Sequence, residues 1–284
     1  VQLDEIAYEK HDGIAEIILN RPDQLNPISA RDGGTRDQIL WAVDDASLDP
    51  EIGSILLRGA GRAFSSGGDL TGNAARETSF DDHAFLERAA EFHDRLRGAA
   101  LPIVAAVHGY CLGAALSLVA ACDLVLAGES AVFGIPEGRL GLVGASPLVP
   151  IVGRQWAKFM VMTGEMVDAP LAREIGLVLS VEADDQLLPR ATDLCQRLSR
   201  LPRQSVLLNK RTIDAIADAS GEAAGRVAAR AHDSVTLSHS RHATAPDGRS
   251  FAEIRRDEGV EGLKRARQAQ FDTPWLRRST ADEG

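Results

Sequence analysis

The sequence predicts a layered α/β core followed by a helical C-terminal region, and three observations carry that expectation. Short apolar runs at 6–8, 14–19, 55–58, 103–107, 122–127 and 177–181 alternate with helix-compatible segments through residues 1–183. Within 184–284, Leu187, Ala191, Leu194, Leu198 and Leu201 recur at spacings of four and three, the period of a single helix face. Two strand-like runs are followed by small residues, Gly67-Gly68 and Gly113-Ala114, where main-chain N–H groups lie open to a ligand.

Taken in order, 6–8 and 14–19 read as a hairpin with Asp12-Gly13 as its turn, and Arg21-Pro22 breaks the second strand. Residues 35–43 carry Ile39, Leu40 and Val43 at helical spacing, although Gly33-Gly34 weaken the start of that helix. Phe80, Phe85 and Phe92 sit at near-helical spacing in the mixed stretch 73–94, which is a candidate acyl-pocket wall but reads more simply as helix core. Residues 206–217 and 223–237 read as helices. Pro246 and Gly248 make 238–249 a loop, and a last helix is expected over 260–270.

The chain has 284 residues, 44% of them hydrophobic and 25% charged, enough for a sizeable core. A formal net charge of −10 argues against nucleic acid or an anionic membrane as the main partner. No run is long and apolar enough to cross a bilayer, and Val1-Gln-Leu-Asp-Glu5 lacks the pattern of a secretion signal, so a cytoplasmic location is expected. Cys111, Cys122 and Cys195 are too scattered for a disulfide framework or a zinc site, and no metal is expected.

Familiar motifs are missing. There is no Gly-rich loop ending in Gly-Lys-Ser/Thr and no Gly-x-Ser-x-Gly elbow. Gly59-Ala-Gly61 is followed by Phe64 where a dinucleotide fingerprint needs glycine. His108, at a strand end, reads as a backbone-bonded structural histidine, and His232, His239 and His242 lack ligand spacing. What remains is two backbone donor points and one acid, Glu137, in Val132-Phe-Gly-Ile-Pro-Glu-Gly-Arg-Leu-Gly141. From the residues alone Glu137 is either a surface loop glutamate or a carboxylate brought into a cleft by Pro136 and the flanking glycines.

These segments together resemble the crotonase superfamily, the enoyl-CoA hydratases and isomerases. The resemblance rests on Asn20-Arg-Pro-Asp-Gln-Leu-Asn-Pro27, Arg62-Ala-Phe-Ser-Ser-Gly-Gly-Asp-Leu70, Pro102-Ile-Val-Ala-Ala-Val-His-Gly-Tyr-Cys-Leu-Gly113, Ala121-Cys-Asp-Leu124, Phe133-Gly-Ile-Pro-Glu137, Leu140-Gly-Leu142 and Asp257-Glu-Gly-Val-Glu-Gly262. It implies a crotonase (ClpP-like) fold of stacked β-β-α units over 1–183, and a helical region over 184–284 that builds trimers, or hexamers as paired trimers. It also implies an acyl-CoA thioester as substrate, with coenzyme A a part of that substrate and no separate cofactor.

By the same matching, the N–H groups of Gly68 and Ala114 would form an oxyanion hole for the thioester carbonyl. Glu137 would be general acid and base. Gln24, Leu25, Ser66, Gly67, Asp69, Leu70, Tyr110, Gly113 and Pro136 would line the acyl-CoA groove, and Lys264 or Arg265 would reach the CoA phosphates. The chain departs from the pattern at one position. Hydratases of this family flank a water with two glutamates, and the second falls on Ser117, which cannot act as a carboxylate base. Hydration of a 2-enoyl-CoA, with Ser117 orienting the water, stays the leading expectation. Double-bond isomerisation, hydroxycinnamoyl-CoA hydration with cleavage, thioester hydrolysis and acyl-CoA binding without turnover are the alternatives.

Overall fold

A computed structural model describes residues 2–70, 78–142, 148–271 and 273–276. The chain opens with the antiparallel pair β1 (Ile6–His11) and β2 (Ile14–Leu19), turned by Asp12 and Gly13, both at positive φ. Four similar turns of chain follow. Each leaves a strand of a large sheet, touches a second layer, and returns through a helix.

From β2 the chain passes Ile28 into α1 (Thr35–Leu48); from β3 (Ser54–Gly59) it passes Ser65 and later enters α2 (Ser79–Arg97). From β4 (Ile103–Val107) it makes β5 (Tyr110–Leu112) and α3 (Ala114–Ala120). From β6 (Leu124–Gly128) it makes β7 (Val132–Gly134), a 3-10 turn at Pro136–Leu140 and α4 (Val149–Thr163). β8 (Met166–Asp168), α5 (Ala169–Glu174) and β9 (Ser180–Glu182) complete the core. The large sheet runs β1-β2-β3-β4-β6-β9, parallel except for its first pair, and the small one runs β5-β7-β8. Single bridges, Ser65 to Cys111 and Ile28 to Gly68, extend the second layer toward the loops.

The large sheet is buried on both faces, which explains its near-continuous apolar runs. Ile17, Ile55, Leu57, Ala105 and Val107 face the main core. The alternate residues Ile14, Leu56, Val104, Ala106 and Leu126 meet Leu187, Ala191 and Cys195 of α6 (Asp184–Ser199). The first C-terminal helix is therefore packed on the sheet. α7 (Arg203–Ala217) and α8 (Ala223–Ser240) contribute no buried residue. α8 lies along α2 through the pairs Arg241–Asp82 and Arg230–Asp94.

Several bounds differ from the sequence expectation: α1 runs on to Leu48, α7 starts at Arg203, and of the expected strand 177–181 only the last two residues belong to β9. α8 runs on through Ser240. α9 (Phe251–Gln268) starts well before residue 260, because Ser250 and Glu253 form a reciprocal capping box and Gly259 (φ 70) breaks the helix midway. Among the described residues no helix is long and apolar enough to cross a membrane.

Candidate active site

Asn26 shapes the first donor loop. Leu25 and Asn26 both adopt left-handed backbone, and the Asn26 amide donates to the carbonyls of Ala60 (2.8 Å), Ala63 (2.9 Å) and Phe64 (3.2 Å). The chain then runs beside 66–69. Ser66 N–H donates to Leu25 O (2.8 Å), Ile28 N–H to Gly67 O (2.8 Å) and Asp69 N–H to Ile28 O (2.9 Å). The Gly67 N–H turns to Ser65 Oγ at 3.2 Å. Every neighbour of Gly68 is thus tied down, while its own N–H meets no backbone acceptor among the described residues.

Asp69 closes the loop from beneath. Its buried carboxylate accepts from Arg21 Nη1 at 2.8 Å, and Arg21 also donates to Gln24 Oε1 at 2.7 Å. Arg21 lies 3.6 Å from Glu5, which in turn accepts from Ser29 Oγ (2.6 Å), Thr35 Oγ1 and Arg31 Nη2 (2.7 Å). Burial pushes the Glu5 carboxyl up, but these donors outweigh it and hold the group below the usual carboxylate value. The network anchors the donor loop to β1 and to the first turn of α1.

The second donor point is built by Gly113, whose φ of 53° and ψ of −117° are open to glycine at little cost. Its N–H donates to Gly134 O (2.8 Å), and α3 starts at the next residue, so the Ala114 N–H has no intrahelical acceptor. The two points abut: a Cβ placed on Gly68 would stand 3.8 Å from the Ala114 Cβ.

Glu137 lies over this junction. It is the second residue of the 3-10 turn that Pro136, itself buried, opens after β7. A Cβ built on Gly113 would sit 1.5 Å from Glu137 Oε1, and one on Gly67 would sit 3.7 Å from it, so both glycines make room for the carboxylate. Oε2 is fully covered and without a hydrogen-bond partner. Burial raises the Glu137 pKa above the ordinary glutamate value. A backbone hydrogen bond at Glu137 itself, and then the Arg267 guanidinium brought over from α9, act in the opposite direction. Arg267 Nε is itself buried without a partner.

Arg139 locks the turn. It donates to Thr163 O (2.9 Å), Gln268 Oε1 (2.8 Å) and Glu165 Oε1 (3.0 Å), and its Cζ lies 3.9 Å from the Phe271 ring centroid. One almost fully buried side chain thereby joins the Glu137 turn to α4 and α9.

The remaining site residues divide. Ser117, one helical turn after Ala114, is only partly covered, while Ala115, Leu116 and Leu118 are buried, so Ser117 shares the open face of α3 with Ala114. Leu70 is held through its carbonyl, which accepts from Arg255 of α9. Tyr110 is exposed on β5. Lys264 and Arg265 are exposed on α9, paired with Glu261 and Glu258, and no described contact joins them to the glycine loops. His108 donates through Nε2 to Gly61 O at 2.8 Å, the backbone-bonded role expected of it. Arg139, Arg255 and Arg267 were not found by sequence reasoning. Only Arg139 carried a local signal, two residues after Glu137 in the same loop.

The enoyl-CoA hydratase/isomerase family model matches residues 9–258. The chain is 33% identical over 211 residues to a probable mitochondrial enoyl-CoA hydratase of Dictyostelium discoideum, covering 73% of this chain and 74% of that one. It is 31% identical over 218 residues to the probable enoyl-CoA hydratase echA8 of Mycobacterium leprae, covering 75% and 82%. The crystal structure of an enoyl-CoA hydratase/isomerase from Xanthobacter autotrophicus Py2 superposes with a TM-score of 0.87 at 30% identity, covering 96% of this chain and all of that one. The architecture is the crotonase fold that the motifs implied.

Proposed function

Because the chain belongs to the enoyl-CoA hydratase/isomerase family, we propose that it hydrates 2-enoyl-CoA thioesters, with Glu137 moving both protons. The observation that carries this reading is the Glu137 carboxylate, its Oε2 covered and without a partner, standing over Gly113 beside two N–H groups that lack backbone acceptors among the described residues. The thioester oxygen accepts from Gly68 and Ala114, which stabilise the negative charge it gains as the enolate forms. Glu137 takes a proton from water as the water oxygen bonds to C3, and then returns a proton to C2. Ser117 orients the water from the open face of α3. Leu25, Ser66, Gly67 and Leu70 flank the thioester arm, and Lys264 stays a candidate for the CoA phosphates.

Ser117 in the second acid position favours one further reading, isomerisation of a 3-enoyl-CoA. There, Glu137 alone takes the proton from C2 and gives it back at C4. Mass spectrometry of products from a panel of enoyl- and 3-hydroxyacyl-CoA thioesters separates the readings. Hydration adds the mass of water, isomerisation leaves the mass unchanged with a shifted spectrum, and hydrolysis or cleavage removes acyl mass. A panel returned unaltered would remove both.

The assembly we propose is a trimer or paired trimers built through α7 and α8. Neither helix buries a residue within the single chain, and Leu208, Ile213, Ile216, Val227 and Val235 are all more than half exposed. Light scattering of the purified protein tests it, and a monomer at working concentration would contradict it.

A further inference from the structure

Away from the Glu137 turn, the packing of α1 on α2 encloses a second set of polar atoms with nothing to bond. The Arg36 guanidinium lies on the rings of Phe85 and Phe92, its Cζ 5.7 and 5.8 Å from their centroids. Arg36 Nε is fully covered and without a partner, and so is His93 Nε2. Burial, and then the nearby Arg88 charge, lower the Arg36 pKa to about 10, and Asp37 acts the other way. Burial and Arg36 hold His93 down at about 3, so His93 is a neutral ring at physiological pH. Covering Arg36 Nε without an acceptor costs stability that two aromatic faces return only in part.

The place of this cluster follows from the backbone. The segment 25–29 runs along the donor loop, Leu25 bonded to Ser66 and Ile28 to both Gly67 and Asp69. One residue on, Ser29 O accepts the Arg36 N–H at 3.4 Å. If the CoA arm lies at Leu25 and Ser66 and the thioester at Gly68, then Arg36 stands beyond the thioester, on the acyl side.

We infer that Arg36, with His93 beside it, binds an anionic group at the far end of the acyl chain, so that the substrate is an acyl-CoA whose acyl part ends in a carboxylate. The step rests on the acyl-CoA reading above, and it concerns recognition only. The guanidinium donates to the carboxylate, the two phenyl rings hold its plane, and the neutral imidazole offers a further N–H. A methyl-ended chain would leave the same buried donors without acceptors, which is the stronger source of discrimination.

The test uses binding, so that it stands apart from turnover. Affinities of the full chain are measured by calorimetry for saturated acyl-CoA thioesters ending in methyl, for the length-matched series ending in carboxylate, and for coenzyme A alone. At the fitting length the wild type should prefer the carboxylate by roughly tenfold or more. Arg36→Met should abolish that preference and leave the affinity for coenzyme A unchanged. Equal wild-type affinity for the two series overturns the inference, whatever the enzyme does to enoyl thioesters. So does an Arg36→Met variant that loses coenzyme A itself, since the anion would then be a CoA phosphate. Should that variant not fold, the wild-type comparison with His93→Phe decides: preference reduced in His93→Phe supports the cluster, and no wild-type preference rejects it. An intact preference in a protein that converts no enoyl thioester would remove the proposed reaction and keep this site.

Discussion

The Glu137 carboxylate occupies the space in which any side chain on Gly113 would have to start, with Oε1 1.5 Å from the ideal Cβ position. Gly113 also holds a φ of 53°. Gly113→Ala therefore has to displace the carboxylate or distort the entry to α3. Its expected cost is about 1–3 kcal/mol of stability and a fall in kcat of roughly 10²-fold, the usual scale for misplacing a catalytic group by about 1 Å. Denaturant titration and steady-state kinetics read the two effects. Full turnover in a folded Gly113→Ala protein would detach Glu137 from the chemistry.

Burying the Glu137 carboxylate leaves a signature in stability. Burial raises the Glu137 pKa above the ordinary glutamate value of 4.5, so the folded protein binds that proton more tightly than the unfolded chain. The favourable contribution is complete below the unfolded value and is lost as pH rises through the raised folded value. Glu137→Gln should accordingly raise Tm at neutral pH, and the gain should shrink as pH falls toward 4.5. Calorimetric scans across that range test the sign. A variant less stable than wild type at neutral pH would contradict the assignment of burial as the dominant influence.

Arg267 is the cation that acts on this carboxylate from α9. Removing its charge lets burial act unopposed, so the Glu137 pKa should climb further. Arg267→Gln is expected to move the acid limb of kcat/KM to higher pH, with the plateau rate less affected. A limb that stays in place would mean the charge of Arg267 does not reach the working carboxylate.

Asn26 holds three carbonyls of the segment leading to the donor loop. Asn26→Ala leaves them without their donor and should cost about 1–3 kcal/mol. Because the loop carries Gly67 and Gly68, kcat should fall further than affinity for a saturated acyl-CoA. Equal losses in both would point to general unfolding rather than a displaced donor.

The long apolar elements were legible in the sequence. The β1–β2 hairpin, β3, β4, α6 and α7 follow from Asp12-Gly13, from runs such as 103–107, and from the four-and-three spacing of Leu187, Ala191 and Leu194. β5, β7 and β8 were not, because three residues each give no readable period. α9 hid behind Gly259, although Ser250 and Glu253 already spelled its cap. At the candidate site, Gly67, Gly68, Gly113 and Glu137 were visible in motifs. Arg255 and Arg267 were not, since long-range packing alone brings the residues of α9 to the 3-10 turn and to Leu70. Arg36 was equally silent: its setting depends on Phe85 and Phe92 arriving from another helix.

The most direct test compares wild type and Glu137→Gln on a 2-enoyl-CoA, following the gain of water by mass and confirming the fold of both proteins by calorimetry. A fall in kcat of roughly 10²–10⁴-fold, with binding of a saturated acyl-CoA retained, is the predicted result. Undiminished hydration by the folded glutamine variant would contradict the account at its centre.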